Sequence, residues 1–305
     1  MDNVYLKLGE GSPHKLFVVF TSRGSKKGEF SFFKTLDSLG LSTLFIRNSN
    51  DDWYVNGIDY LSDNLDDSSL ALEEKINSII EEFNFSEVIF LGSSMGAYGA
   101  LVCTKSIKLK CPSRYILFSL ESPLLLPMSK SIDNEAEINK HASIDVVDTL
   151  VEKRGVLFFG EYDLVDSFTA TRIRELYPNF LVIGHRASLH NVAQKLDEDW
   201  SFKDYFCEFI NENYAIVNSG SLVYKVSSTD LLCLIVLLGK GVFSRDILMR
   251  CIKNYPDFGY ALNRLGVMYH DLGEIELAKQ YIKKSLAINP DFENSKFHLK
   301  ILSGK

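Results

Sequence analysis

Six short apolar runs recur along the first two thirds of the chain, at 16–20, 42–46, 88–91, 115–118, 156–159 and 180–183. A strand with one face in water alternates apolar and polar residues. These runs do not alternate, so both of their faces are buried. Between them lie stretches of helical spacing at 32–39, 69–83, 95–106, 143–153 and 167–176, and a closing helix at 192–211. Strand–helix alternation of this kind predicts a doubly wound, mostly parallel sheet covered by helices on both faces. Residues 4–8, turned by the glycine- and proline-containing stretch 9–13, predict an antiparallel edge strand. The pattern stops near residue 212. The stretch 211–230, rich in Ser, Asn and Gly, reads as a boundary and divides the chain into units 1–213 and 214–305.

Directly after the run 88–91 stands Gly92-Ser93-Ser94-Met95-Gly96, and directly after that Ala97-Tyr98-Gly99-Ala100. Strand, G-x-S-x-G turn and helix start are the order of a nucleophile elbow, with Ser94 at its tip. So sharp a turn forces the serine into a strained conformation and crowds the residues two positions either side, where a glycine lets the backbone pass. Ser93 adjoins, but Ser94 alone has glycine at both −2 and +2. The helix starting at Met95 would aim its free N–H groups at an oxyanion. A serine hydroxyl is a poor nucleophile until a general base takes its proton and a carboxylate orients that base.

Over residues 1–212 the chain resembles the α/β-hydrolase superfamily. In that family the acid follows the strand two after the nucleophile strand, and the histidine follows the next one. Here those places hold Gly160-Glu161-Tyr162-Asp163 and Gly184-His185-Arg186-Ala187-Ser188-Leu189-His190. The resemblance therefore implies a triad of Ser94, Asp163 and His190. Asp166, Glu161 and Glu121 are alternative acids, and His185 is an alternative base. His190 lies beyond a loop long enough to fold back over Ser94. His141 has no strand before it, and His14, His270 and His298 lie far from the motif in chain order. The oxyanion hole implied by the family takes one N–H from Met95 and a second from the loop after the first parallel strand, where Ser22 and Arg23 compete. Arg23 either meets a substrate carboxylate or phosphate or is a surface arginine of the basic stretch 23–27. Residues 124–128, Leu-Leu-Leu-Pro-Met, line an acyl pocket or are core beneath a loop, and the short span between the runs at 115–118 and 156–159 leaves no room for a large lid.

The tail carries a repeat. Leu238-Gly239 recurs as Leu272-Gly273, and Pro256-Asp257-Phe258 as Pro290-Asp291-Phe292, each 34 residues on. That is the tetratricopeptide period. The second copy resembles that family in detail, with Leu265-Gly266 and Tyr269 in its first helix, Gly273 in the turn, Ala278 in the second helix and Pro290 after it. The first copy departs, with Leu232 and Ser244 at the glycine and alanine positions. The alternative is a plain helical hairpin covering an apolar face of the main unit.

A formal charge of −7, with Lys and Arg dispersed, argues against nucleic acid as a partner. Five cysteines in no C-x-x-C pair suggest neither disulfides nor zinc and fit a reducing, cytoplasmic setting. No phosphate loop, dinucleotide fingerprint or His-x-x-x-His spacing points to a cofactor or metal. The first residues lack the make-up of a signal peptide, and the apolar run 231–238 is too short to span a bilayer. The expected activity is hydrolysis of a carboxylic ester or thioester, small or glycan-linked, through an acyl-enzyme on Ser94. The alternatives are transfer of the same acyl group to a sugar or other alcohol, and an interaction module whose helical tail binds a protein partner.

Overall fold

The computed structural model describes residues 3–11, 14–138, 145–200, 202–212 and 222–303. Among the described residues seven strands form one sheet: β1 (Val4–Lys7), β2 (Lys15–Phe20), β3 (Thr43–Ile46), β4 (Glu87–Ser93), β5 (Ser113–Phe118), β6 (Gly155–Gly160) and β7 (Leu181–His185). Their spatial order is β1-β3-β2-β4-β5-β6-β7. The edge strand β1 runs antiparallel to β3, with Val4 opposite Ile46, and every other pair is parallel. From β2 the chain steps outward to β3, then returns to β4 on the other side of β2. This reversal opens a crevice at the carboxyl ends of β2 and β4, the usual ligand position in open parallel sheets.

The unbroken apolar runs follow from burial on two faces. Leu16, Val18 and Phe20 of β2 join one core, and Phe17 and Val19 the other. The first core is covered by α2 (Leu65–Phe83), α3 (Met95–Val102) and α5 (Leu164–Leu176), the second by α1 (Phe33–Ser38), α6 (Val192–Trp200) and α7 (Phe202–Ile210). Helix α4 is described over Glu135–Ile138, in the excursion between β5 and β6. Helix α2 starts four residues before the expected 69, because the Asn64 side chain accepts the Asp67 N–H at 2.9 Å and caps it there. The helix expected over 143–153 is, in its described part, a 3-10 turn, Val146–Leu150. Asp145 holds that turn by accepting from Val147 N, the Ser122 hydroxyl and Arg172. The closing helix is described in two parts, Val192–Trp200 and Phe202–Ile210, with residue 201 between them outside the described residues. The buried Arg114 donates to the Phe209 and Ile210 carbonyls at 3.1 and 2.7 Å, tying the end of α7 to the sheet edge away from the crevice.

The tail comprises α8 (Ser228–Gly239), α9 (Arg245–Asn254), α10 (Gly259–Asp271), α11 (Ile275–Ile288) and α12 (Glu293–Leu302). Helices α10 and α11 cross closely at Gly266, where a Cβ would stand 2.6 Å from Ile282 Cδ1, and turn at Gly273, φ +78°. In the first copy the turn glycine is Gly241, φ +70°, not the Gly239 that the 34-residue spacing selects. Gly239 is small for a different reason: a Cβ there would lie 2.3 Å from Pro127. Of the two readings of 124–128, the core one holds: Pro127 is a wall against α8, Leu124 is buried in the core, and Leu125 and Leu126 pack against it. A buried polar chain runs through the tail: Asn263 Nδ2 donates to Ser295 Oγ, which bonds Ser285 Oγ, which donates to the Gly259 carbonyl. Tail residues share one continuous core with α5, so the repeat also covers an apolar face. The expected boundary between 213 and 214 lies outside the described residues. Among those described, no helix is long and apolar enough to cross a membrane.

Candidate active site

Ser94 sits at the end of β4 with φ 54° and ψ −122°, a conformation that costs a non-glycine residue about 1–3 kcal/mol. Two contacts explain its glycines. A Cβ on Gly92 would stand 2.2 Å from the Gly96 carbonyl oxygen, and one on Gly96 would stand 2.2 Å from the carbonyl oxygen of Phe20 in β2. The turn is held by Ser94 N–H on the Phe118 carbonyl at 2.9 Å and closed by Ala97 N–H on the Ser94 carbonyl at 2.9 Å. Every residue of α3 is buried, which keeps its first turn fixed against the sheet.

The turn after β7 brings His190 over Ser94. His190 Nε2 lies 2.7 Å from Ser94 Oγ, and Nδ1 lies 2.8 Å from Asp166 Oδ1. The acid on the imidazole is therefore Asp166, not Asp163. Asp163 is the N-cap of α5, and its carboxylate accepts from Val165 N at 3.0 Å and Asp166 N at 3.1 Å. With the helix starting at Leu164, Asp166 stands in its first turn and faces the site. An aspartate directly before a run of helical spacing is a preferred N-cap, a cue that assigns the first acid to the helix end. Glu161 turns away to the tail, where Tyr255 Oη donates to it at 2.9 Å. His185 belongs to β7, paired with Gly160. His141 lies outside the described residues.

A second carboxylate stands behind the ring. Glu121 is wholly buried, accepts from Lys130 N at 2.7 Å and Ser131 N at 3.1 Å, and approaches His190 Nδ1 to 4.0 Å. Burial pushes its carboxyl up to about 7, against the pull of His190. Burial likewise lifts Asp166 to about 6. For His190 burial alone would depress the imidazole, but the charge and hydrogen bond of Asp166, with Asp163 and Glu121 behind, outweigh it and raise the ring to about 9. The donor atoms of Glu121, Asp166 and His190 lie within 4.8 Å of one another, a spacing a cation could bridge. Backbone N–H groups already serve both Glu121 oxygens, and the ring nitrogen serves Asp166 Oδ1. The arrangement fits a hydrogen-bonded relay better than a metal site.

Of the expected oxyanion donors, the Met95 N–H opens α3 and has no protein acceptor among the described residues. The Ser22 N–H is taken by Ser31 Oγ at 2.9 Å, and its hydroxyl donates to the Ser93 carbonyl at 2.8 Å. The Arg23 guanidinium is engaged as well: it donates to the Lys130 carbonyl, Asp133 and Asn134 at 3.0–3.1 Å, so it pins the segment that presents its amides to Glu121. Tyr54 fixes the same loop. Its hydroxyl donates to the Thr21 carbonyl at 3.0 Å, and its ring lies where a Cβ on Gly99 of α3 would fall.

Sheet order, elbow and histidine turn define an α/β-hydrolase-like core with a Ser94-His190-Asp166 arrangement, followed by a tetratricopeptide-like helical tail. The tetratricopeptide repeat family model matches residues 259–292, which are α10, α11 and the turn into α12. No curated protein sequence matches the chain. Among solved structures it is similar to the capsule O-acetyltransferase of Neisseria meningitidis serogroup A, at 14% identity over 68% of this chain and 90% of that one, with a TM-score of 0.46. It is also similar to Est1E from Butyrivibrio proteoclasticus, at 15% identity over 68% and 94%, TM-score 0.46. A third is MenH from S. aureus, at 13% identity over 70% and 99%, TM-score 0.49.

Proposed function

We propose that the protein is a serine hydrolase cleaving a carboxylic ester or thioester. The observation that carries this reading is the continuous relay from Ser94 Oγ to His190 Nε2 at 2.7 Å and from His190 Nδ1 to Asp166 at 2.8 Å. Ser94 Oγ attacks the acyl carbon while its proton passes to Nε2, and Asp166 stabilises the imidazolium that forms. The carbonyl oxygen takes the negative charge, opposite the Met95 N–H and, with the Ser22 amide occupied, the N–H of Arg23. His190 returns the proton to the departing alcohol or thiol. Water then attacks the acyl-enzyme with His190 again as base, and the acid and free Ser94 are released. A sugar or other alcohol in place of that water would make the same chemistry an acyl transfer.

A cavity of about 540 Å³ lies between Phe30, Phe32 and Phe33 on one side and Ala193 and Gln194, just past His190, on the other. Neither Ser94 nor His190 lines it, so it suits the far end of an acyl group rather than its reacting carbon. On the tail, Phe297 and Ile301 stand one turn apart and exposed on α12, where a protein partner could rest. The five cysteines, none of them paired, suit a reducing cytoplasmic setting. The test is hydrolysis of short p-nitrophenyl esters by wild type and S94A, with products analysed with and without alcohol acceptors. S94A is expected to lose at least about 10³-fold in kcat. A folded S94A retaining wild-type turnover refutes the reading.

A further inference from the structure

The tail touches the two turns that carry the acid and the histidine. On the acid side, Tyr162 lies between the end of β6 and the cap Asp163. Its hydroxyl donates to the Ser285 carbonyl of α11 at 3.1 Å, and its ring meets Phe292 edge-on with centroids 4.6 Å apart. On the histidine side, Asn289 is the C-cap of α11 and is buried. Its Nδ2 donates at 3.0 Å to the carbonyl of Ala187, three residues before His190, and its Oδ1 accepts from Asp291 N–H at 3.0 Å. The turn from Arg186 to Leu189 is thus gripped from two sides, by Asn289 at Ala187 and by Tyr162 N–H at the Ser188 carbonyl, 3.0 Å. Its internal bond, Ser188 N–H to the His185 carbonyl, is long at 3.5 Å.

We infer that Asn289 is a positioning residue for His190, so that the helical tail is a working part of the catalytic centre. The inference rests on the Ser94 reading above. The ring must satisfy Ser94 and Asp166 together, and a turn outside any ladder holds such geometry through its anchors. The chemistry of position 289 is specific. A carbonyl must be met by a donor while Asp291 N–H needs an acceptor, and the two ends of one carboxamide supply both. A carboxylate has the same shape but would set oxygen against oxygen at Ala187.

The test uses the full chain. In N289D the acceptor for Asp291 N–H remains and the donor to Ala187 is lost. Phosphonylation of Ser94 by a fluorophosphonate is followed to completion, giving a rate constant and a final labelled fraction, beside KM and kcat for a p-nitrophenyl ester. The expected result is a rate constant and a kcat lower by about 10- to 100-fold, with KM and final fraction as in wild type. Labelling and kcat at the wild-type rate overturn the inference. A lower final fraction at an unchanged rate also overturns it, because that marks loss of folded molecules only. Should N289D aggregate, N289S, whose hydroxyl keeps the Asp291 acceptor and falls short of Ala187, is read by the same outcomes. A wild-type protein that does not label overturns the Ser94 reading and this inference with it, whereas a labelled wild type with an unaffected N289D overturns the inference alone.

Discussion

Replacing Asp166 by asparagine changes one charge and almost no shape. Asp166 Oδ1 stands 2.8 Å from His190 Nδ1, and both side chains are largely out of water. The Ser119 hydroxyl stands by Asp166 and, able to give or take a hydrogen bond, does not fix which end of an asparagine amide faces the ring. The reversed amide presents N–H to Nδ1 and stabilises the wrong tautomer. Loss of tautomer and charge together predicts a fall in kcat of about 10³–10⁴-fold, roughly 4–5.5 kcal/mol of transition-state stabilisation. The pH dependence has a definite sign. In the wild type the carboxylate raises His190 toward about 9, and the rate climbs with pH as the ring loses its proton. Without that charge the ring loses its strongest upward pull, though Asp163 and Glu121 remain, so the imidazole pKa falls and the rising limb of kcat/KM moves to lower pH. D163N is the contrast: asparagine caps a helix about as well as aspartate, so its activity should stay within about threefold of wild type. Residual activity in D166N that disappears in D166N/E121Q would belong to Glu121, 4.0 Å from the same nitrogen. The assay is steady-state ester hydrolysis across pH with folding matched by calorimetry. A large loss in D163N with little in D166N, or a rising limb moved to higher pH in D166N, refutes the reasoning.

Two further substitutions probe the backbone of the site. Gly96→Ala would press a methyl onto the Phe20 carbonyl, 2.2 Å away, and neither backbone can yield without moving the elbow or β2. It should cost about 3 kcal/mol or more, seen as a lower Tm together with lost ester hydrolysis. Gly259→Ala would place a methyl 1.7 Å from Tyr162 Oη. A loss of about 1–3 kcal/mol in urea unfolding is expected, with α10 pushed from the β6–α5 turn. Unchanged stability in either variant would contradict the contact it tests.

The sheet was legible because burial on both faces leaves a mark at every residue of a strand. The elbow was legible because strand, G-x-S-x-G turn and helix start are contiguous in the chain; Gly92 answers to Gly96 within the turn, although Gly96 answers to Phe20 on the neighbouring β2. The acid was harder. Asp163 and Asp166 both follow β6, and choosing between them requires the first residue of α5, which a three-residue error in the helix start conceals. The turn at Val146–Leu150 owes its shape to Ser122 and Arg172, contacts that periodicity does not register. Gly239 matched Gly273 by spacing, yet Pro127 from another part of the chain accounts for it. The joint between tail and core is of the same kind. Asn289 meets Ala187 across 102 residues, and nothing in either neighbourhood announces the pairing.

The central claim is that Ser94 is made nucleophilic by His190. Its most direct measurement is trapping: the protein is reacted with a slowly deacylating ester or a fluorophosphonate, digested, and the modified residue located by mass spectrometry, for wild type, S94A and H190Q. One adduct on Ser94 in the wild type, none in S94A and a rate reduced by orders of magnitude in H190Q is the predicted result. An adduct on another residue, or equal Ser94 labelling in wild type and H190Q, would contradict the account.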